Sequence, residues 1–390
     1  SMEIKWKTSN ENDPLFQLYK CLFENKYHFR IRADRYHREF VISNLESSAK
    51  GKYSALDTPV WVGIKLTNCC NLKCRHCWTV NHGFVPELSN IKNMLDKLYR
   101  AHIKFVGFSG GELFTRPDIL EILEYSKKRG LIVELFTNAT LIDDEMIERL
   151  KAILDRKTDV IQISLDGISE SALKYQRGIQ GPDKIIHVIN RFIAEGFCVR
   201  VSYVVTCANV SDLVPTFIEM DRSGVAGFSV SAVYPIFKGV SEHKKLDMMK
   251  YYQDLYKIIN IPHQMELKYF LQIDFFERVS PYIESLVIED RTQADFDSGF
   301  VSWFIDANGA VYPEFHLEYS ELCGGSIYSD SIKDIAERFK RMPILANGRS
   351  LEQTACRNCK FKSLCLNHSY DQAYAKYKMF NKKNPFCKIP

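Results

Sequence analysis

Cysteine is the residue type whose spacing in this sequence most clearly predicts chemistry. The chain has 12 cysteines, and most of them fall in two groups. Grouped thiolates are typical of metal and iron–sulfur sites, whereas cysteines that only fill a core are scattered. The first group is Cys69, Cys70, Cys74 and Cys77, the second is Cys356, Cys359, Cys365 and Cys387, and the others are Cys21, Cys198, Cys207 and Cys323. The sequence therefore predicts two metal or cluster centres.

The first group contains the spacing C-x3-C-x2-C, formed by Cys70, Cys74 and Cys77. Three thiolates can hold three irons of a [4Fe–4S] cluster and leave the fourth iron open for another ligand. A zinc ion is the alternative, because zinc takes four protein ligands and Cys69 or His76 could supply the fourth. The spacing alone leaves both centres open.

The second group has the spacing C-x2-C-x5-C, and Cys387 follows at a distance. Four thiolates in this arrangement can hold a zinc ion or a fully coordinated iron–sulfur cluster. On spacing alone, the two centres fit about equally well.

The elements that must position these thiols begin near residue 60, where apolar strands start to alternate with amphipathic helices. Such alternation predicts an α/β fold with a parallel sheet, curved or barrel-like, wrapped in helices. Among the helices, Pro117–Arg129 and Asp143–Leu154 are the clearest. The predicted strands are Val60–Thr67, Phe105–Ser109, Ile132–Asn138, Val160–Asp166, Val199–Thr206 and Phe228–Val233.

Four segments follow from this pattern: an N-terminal extension (1–57), an α/β core (58–240), an aromatic-rich helical bridge (241–300) and a cysteine-rich C-terminal domain (301–390). We predict a helix over 13–24 and short strands over 28–32 and 40–43 in the extension, which is locally basic. A docking surface for an acidic partner and a solvated hairpin both explain that charge. In the last segment, Asn308-Gly309 predicts a hairpin between 301–306 and 310–312, and a helix should follow over 331–341.

Composition excludes several classes of function. The chain has 390 residues and a formal net charge of +4, which argues against a dedicated nucleic-acid binder. No apolar run approaches about 18 residues, so we expect no membrane span. The start, Ser1-Met2-Glu3, lacks a signal-peptide pattern. We therefore expect a cytoplasmic protein in a reducing compartment, where disulfides are rare.

The segment Leu66–Cys77 resembles the cluster-binding loop of the radical S-adenosylmethionine (SAM) superfamily. The resemblance implies that Cys70, Cys74 and Cys77 hold a [4Fe–4S] cluster whose open iron chelates SAM. Reductive cleavage of SAM then gives a 5′-deoxyadenosyl radical that abstracts a hydrogen atom, and an external flavodoxin- or ferredoxin-type protein supplies the electron. By the same resemblance, His76 contacts the adenine.

Further motifs follow the predicted strands, at the carboxyl edge where parallel α/β barrels build active sites. Gly110-Gly111-Glu112 is similar to the family's GGE motif, which receives the SAM amino group. Ala139 departs from the family's usual Thr-Asn-Gly. Ser164 and Arg177 fit contacts to SAM and ordinary cap or surface positions about equally well. The implied cofactor-binding residues are His76, Ser109, Gly110, Gly111, Glu112, Thr137, Asn138, Ser164, Asp166, Arg177 and Val204.

The cysteine-rich tail resembles the SPASM/twitch extension of this superfamily, which carries auxiliary clusters. Glu314 and Ser369 stand where that pattern expects cysteines, so the resemblance implies one auxiliary [4Fe–4S] cluster, held by Cys356, Cys359, Cys365 and Cys387. The loss of the inner cluster would leave Glu314 and His316 as a candidate proton acceptor or substrate contact, or as a polar hairpin edge. Cys323 is a candidate hydrogen-atom donor or a packed cysteine.

Taken together, the resemblance implies a partial (β/α)6 barrel with a C-terminal cluster domain, two [4Fe–4S] clusters and SAM. We expect a radical SAM enzyme that modifies a peptide or protein substrate. A radical dehydrogenase of a small molecule is the main alternative, and a non-catalytic iron–sulfur or zinc protein is the other.

Overall fold

A computed structural model describes residues 2–7, 10–13, 16–18, 20, 58–59, 61–79, 83–269, 282–288, 302–342, 355–359, 370–385 and 387. Its main feature is one ten-stranded sheet. The strands lie in the order β12 (Gly325–Ser326), β11 (Ala310–Tyr312), β10 (Ser302–Ile305), β2 (Trp61–Lys65), β3 (Phe105–Ser109), β4 (Ile132–Thr137), β5 (Val160–Ser164), β6 (Cys198–Val205), β7 (Gly227–Ala232) and β8 (Glu266–Tyr269). From β10 to β8, neighbouring strands are parallel.

Helices cover one face of this sheet with their apolar sides. The helix Asp183–Ala194, for example, buries Ile185, Val188, Ile189 and Phe192. The other described helices are Leu88–Arg100, Ile119–Lys128, Asp144–Ile153, Glu170–Arg177, Leu213–Ser223, Gly239–Lys245, Met248–Asn260, Ile332–Arg341 and Tyr370–Tyr377. The α/β fold with a parallel sheet is therefore confirmed, as are the six predicted strands and the helices near 119 and 144.

The opposite, interior face of the sheet is more polar and partly accessible. Along β6, residues alternate between half-buried and buried positions, as expected for a strand with two different faces. Ser202 of β6 pairs in register with Ser164 of β5 and with Ser229 of β7, and all three are half-buried. This face leads up to the carboxyl edge, where the predicted site residues lie.

The bridge segment differs from the prediction of a helical region. Helices Gly239–Lys245 and Met248–Asn260 are present, but β8 then joins the sheet beside β7. A further strand, β9 (Ile283–Ile288), pairs antiparallel with β1 (Met2–Trp6). The helical prediction was wrong for these residues because short strands of four to six residues carry little periodicity of their own.

The predicted C-terminal hairpin is confirmed as β10 and β11, and the predicted helix follows at Ile332–Arg341. The sequence did not predict that β10 would lie parallel beside β2, with Ile305 paired to Ile64. In the N-terminal extension, residues 16–18 and 20 are helical. The predicted strands over 28–32 and 40–43 lie outside the described residues.

Among the described residues, no helix is long and apolar enough to cross a bilayer.

Candidate active site

The loop that carries the first cysteine group leaves the carboxyl end of β2. Thr67 and Asn68 are buried beneath it, and the Thr67 hydroxyl accepts a hydrogen bond from the Cys69 amide at 3.0 Å. Cys70 is exposed, while Cys74 and Cys77 are half-buried. The Cys70 sulfur accepts a hydrogen bond from the Leu72 amide at 3.4 Å, and the loop brings the three soft ligands into one short segment.

Electrostatics around these thiols depend on burial and on one cation. Burial raises the pKa of Cys74 to about 11, and the charge of Arg177 opposes that rise. The Arg177 Nη1 atom lies 3.9 Å from the Cys74 Sγ atom. A positive charge at this distance favours the thiolate form, which is the form that binds iron.

Two glycines at the end of β3 let the backbone approach this loop very closely. The Gly111 amide donates to the Thr67 carbonyl and the Glu112 amide to the Cys69 carbonyl, each at 2.8 Å. A Cβ atom at Gly111 would stand 2.1 Å from the Cys69 carbonyl oxygen. Only glycine fits at this contact between the loop and β3.

The Glu112 carboxylate joins the ends of β3 and β4. It accepts hydrogen bonds from the Thr137 hydroxyl at 2.7 Å, the Asn138 amide at 2.7 Å and the Phe114 amide at 3.2 Å. Burial raises the pKa of Glu112, and these three donors oppose the rise. The structure thus brings Glu112, Thr137 and Asn138 together, as the sequence predicted for one edge.

Asn138 extends this network to the cysteine loop. Its amide nitrogen donates to the Asn71 side chain at 3.1 Å, and its oxygen accepts from the Thr140 hydroxyl at 2.6 Å. Ala139, which replaces the glycine common in the family, adopts a left-handed φ of 61° and is fully buried. Ala139 therefore adopts the backbone conformation that a glycine would take at this position, and this conformation is strained for a residue with a Cβ atom.

Asp166 is the centre of a second buried network. Its carboxylate accepts from Arg177 Nε at 2.5 Å and from the Val204 amide at 2.8 Å. The His76 Nε2 atom lies 3.7 Å from the same carboxylate. Burial lowers the pKa of His76 to about 4, so its ring is neutral near pH 7. Three residues predicted from separate motifs, Arg177, Val204 and His76, thus meet at the Asp166 carboxylate.

Glu314 and His316 lie against the residue that follows the cysteine loop. The His316 ring meets the Trp78 ring edge-on at 5.6 Å and stacks on Tyr234 at 4.5 Å. Glu314 Oε1 is 3.8 Å from His316 Nδ1. Cys323 instead donates its thiol to the Gly325 carbonyl within its own turn, at 3.3 Å.

Sequence reasoning missed a buried charged group at the same edge. Lys65, the last residue of β2, forms an ion pair with Glu318 at 2.6 Å and lies 3.7 Å from Asp306. We name Lys65, Asp306 and Glu318 the edge triad. A lysine that ends an apolar strand is the signal that could have found it, because buried lysines need acidic partners.

The second cysteine group is described in part. The Cys359 amide donates to the Cys356 carbonyl at 2.9 Å, so these two residues share a turn, and the Cys387 amide donates to the Asn384 carbonyl at 3.0 Å. Cys365 lies outside the described residues. The auxiliary centre stays a prediction.

Within the part of the chain that the structure describes, no group of three or more histidine, cysteine or acidic side chains could hold a metal ion. A [4Fe–4S] cluster differs from a single ion because each thiolate binds a separate iron. The three exposed or half-buried thiols, the adjacent Arg177 charge and the buried His76 Nδ1 atom without a partner fit a cluster and a further ligand at this edge.

Comparison with known proteins identifies related chains. The profile of the radical SAM superfamily matches residues 64–215. An AdoMet-dependent heme synthase from Methanosarcina barkeri is 24% identical over 348 residues, which cover 85% of this chain and 97% of that protein. Mycofactocin maturase MftC from Mycobacterium tuberculosis is 35% identical over 164 residues, and this match spans 40% of this chain and 41% of that protein.

Among solved structures, SuiB from Streptococcus suis bound to its precursor peptide SuiA superposes with a TM-score of 0.69 at 16% identity. The match covers 96% of this chain and 87% of SuiB. At this identity, the likeness concerns the fold. It extends beyond the residues matched by the family profile and into the C-terminal segment.

Proposed function

Since this chain is an enzyme of the radical SAM superfamily, we propose that it modifies a peptide or protein substrate by hydrogen-atom abstraction. The cluster and SAM, when bound, supply the 5′-deoxyadenosyl radical. We assign the three iron-binding thiolates to Cys70, Cys74 and Cys77. The single observation that carries this assignment is the contact of Arg177 with both the Cys74 thiol and the Asp166 carboxylate.

The chain's own residues have separate tasks in this proposal. Arg177 offsets the negative charge of the thiolates, and Asp166 holds its guanidinium in place. Gly110 and Gly111 let the end of β3 pack directly against the cysteine loop and so fix its position. Glu112 orients the end of β4 by accepting from the Asn138 backbone amide, and the Asn138 side chain bonds to Asn71 of the loop. His76, neutral and buried, can present Nδ1 to a hydrogen-bonding ligand.

Relatives support a peptide substrate without deciding it. The printed names of MftC as a mycofactocin maturase and of SuiB with a precursor peptide favour it. The heme synthase supports a second candidate, a tetrapyrrole substrate, because its match covers nearly its whole length. Either substrate would meet the aromatic side chains of Trp78, Phe315 and His316 beside the loop.

We further propose one auxiliary [4Fe–4S] cluster at Cys356, Cys359, Cys365 and Cys387, with an electron-transfer role. An external flavodoxin- or ferredoxin-type donor would reduce the SAM-binding cluster, in a cytoplasmic setting. Reconstituted protein should then contain about eight irons per chain, and Cys356→Ala about four. About twelve irons in the wild type, or full iron in the variant, would contradict the assignment.

The deciding experiment incubates the reduced, reconstituted chain with SAM and measures 5′-deoxyadenosine. Cys74→Ser should abolish the product, and Cys198→Ser, which changes a cysteine of β6, is the matched control that should retain it. No product from the wild type with an intact cluster spectrum would refute the enzyme assignment. Mass spectrometry of candidate peptides and of iron-coproporphyrin after the same incubation separates the two substrate classes.

A further inference from the structure

The edge triad holds a buried carboxylate oxygen without a partner. Glu318 Oε1 accepts from Lys65 at 2.6 Å, but Glu318 Oε2 is buried and makes no hydrogen bond. The Glu318 side chain is only 7% exposed. Buried carboxylate oxygens almost always have donors, so this one is held ready for a donor that the chain itself does not supply.

A second buried acceptor beside the triad also lacks a hydrogen-bond donor. Asn68 donates its amide nitrogen to Asp306 at 3.3 Å, while its side-chain oxygen is buried without a partner. Asn68 is 2% exposed and lies in the cysteine loop. Two unsatisfied acceptors therefore flank the same ion-paired group.

The charges of the triad define the missing group. In the triad, one lysine faces the two carboxylates of Asp306 and Glu318. Burial raises the pKa of Glu318, Lys65 opposes the rise and Asp306 adds to it. A donor with positive charge or strong polarity compensates such a set best.

The triad lies beside the proposed radical chemistry. Lys65 Nζ is 5.1 Å from the centre of the Trp78 ring, and Trp78 directly follows Cys77. Trp78 also contacts Phe315, whose ring is 38% exposed and which belongs to the same turn region as Glu318. Trp78 and Phe315 thus form an aromatic wall beside the triad.

We propose that Glu318 is a specificity-determining residue whose free oxygen accepts a hydrogen bond from an N–H donor of the substrate, with Asn68 as a second acceptor. Lys65 is a positioning residue that fixes the carboxylate. The substrate displaces the Trp78–Phe315 wall to reach it. This inference rests on the proposed function for its substrate, but the free carboxylate has a signature of its own.

The property that reveals the unpaired carboxylate oxygen is the thermal stability of the protein in the absence of substrate. An ion-paired group kept for ligand binding leaves an unsatisfied oxygen in the free protein, so replacing all three charged side chains of the triad should relieve that defect. Lys65→Met/Asp306→Asn/Glu318→Leu should therefore melt at the wild-type temperature or higher in the substrate-free holoenzyme. A merely structural pair would instead lower the melting temperature.

A matched pair with satisfied oxygens provides the control. Asp159 is fully buried and accepts from Lys127, from the Val133 amide and, through its other oxygen, from the Asp155 amide. Lys127→Met/Asp159→Asn should lower the melting temperature clearly, because the asparagine has one acceptor oxygen for two backbone amides and so leaves one of them without its acceptor.

The second arm uses the substrate found by mass spectrometry. Glu318→Gln should raise KM about ten- to hundredfold with little change in kcat, as expected when a ground-state hydrogen bond is lost. Glu321→Gln, a half-exposed neighbour already bonded to Tyr374, should leave both constants unchanged. Substrate-free 5′-deoxyadenosine formation should stay at the wild-type rate in Glu321→Gln.

The outcomes are distinct. A lower melting temperature for the Lys65→Met/Asp306→Asn/Glu318→Leu variant, or an unchanged KM for Glu318→Gln, would overturn the role of Glu318 while the enzyme assignment stands. Absence of 5′-deoxyadenosine from the wild type would instead refute the proposed function, and the melting experiment would still decide whether the triad is purely structural.

Discussion

Replacing Gly111 by alanine is the sharpest test of how the cysteine loop is held. The added Cβ would meet the Cys69 carbonyl oxygen at 2.1 Å and the Cys70 Cβ at 2.9 Å, where ordinary contacts begin at 3.4 Å. The loop must therefore move by about 1.3 Å (3.4 − 2.1) relative to β3. The obstacle is purely steric, because Gly111 is not among the glycines with positive φ.

Such a displacement has two consequences. It breaks the two backbone hydrogen bonds that join the loop to β3, each worth about 1 kcal/mol. It also moves Cys70, and misplacement of a catalytic group by about 1 Å costs roughly a hundredfold in rate. We expect the Gly111→Ala variant to lose iron from the first centre. We also expect its rate of 5′-deoxyadenosine formation to fall by at least about a hundredfold.

The assay compares iron content, the cluster spectrum and 5′-deoxyadenosine rate after identical reconstitution. Gly130→Ala is the matched control, since Gly130 has a φ of +73° and nothing within 4 Å of the added Cβ. It should cost about 1 kcal/mol of folding free energy through backbone strain and leave iron and rate unchanged. Full iron and a wild-type rate in Gly111→Ala would refute the reasoning.

Three further predictions concern stability. Asp166→Asn should cost about 3–5 kcal/mol, because it leaves the buried Arg177 guanidinium without its counter-charge; an unchanged denaturation midpoint would contradict this. Ala139→Gly should be nearly neutral and Ala139→Val clearly destabilising in thermal unfolding, since φ is 61° at a buried position. Hydrogen bonds from Arg338 and the Ser326 amide lower the pKa of Asp330 from 3.8 to about 2. This carboxylate therefore adds stability above about pH 4 that is lost as pH falls toward 2, and Asp330→Asn should show a smaller loss of unfolding free energy over that range.

Sequence periodicity predicted the core well because each of its strands combines apolar alternation with a helix of its own. β8 was harder because it has only four residues, and the pairing of β10 with β2 was missed because these two strands lie far apart in the chain. The order of strands depends on such long-range pairings, which local patterns do not contain.

In the candidate site, too, local motifs could be predicted from the sequence and long-range contacts could not. Cysteine spacing and the Gly110-Gly111-Glu112 motif indicated where Glu112 and Asp166 would lie, because short motifs fix local chemistry. The pair Lys65–Glu318 spans 253 positions along the chain, so neither residue alone marked the site. Only the fold reveals that a lysine ending one strand meets a glutamate from the C-terminal segment.

The parallel pairing of β10 with β2 has a consequence for how this protein folds during its synthesis on the ribosome. β2 leaves the ribosome early, but its second neighbour is synthesised more than two hundred residues later. Until then, the strand that presents Cys70, Cys74 and Cys77 has an open edge, which favours association with other chains. A fragment ending near residue 240 should share this liability.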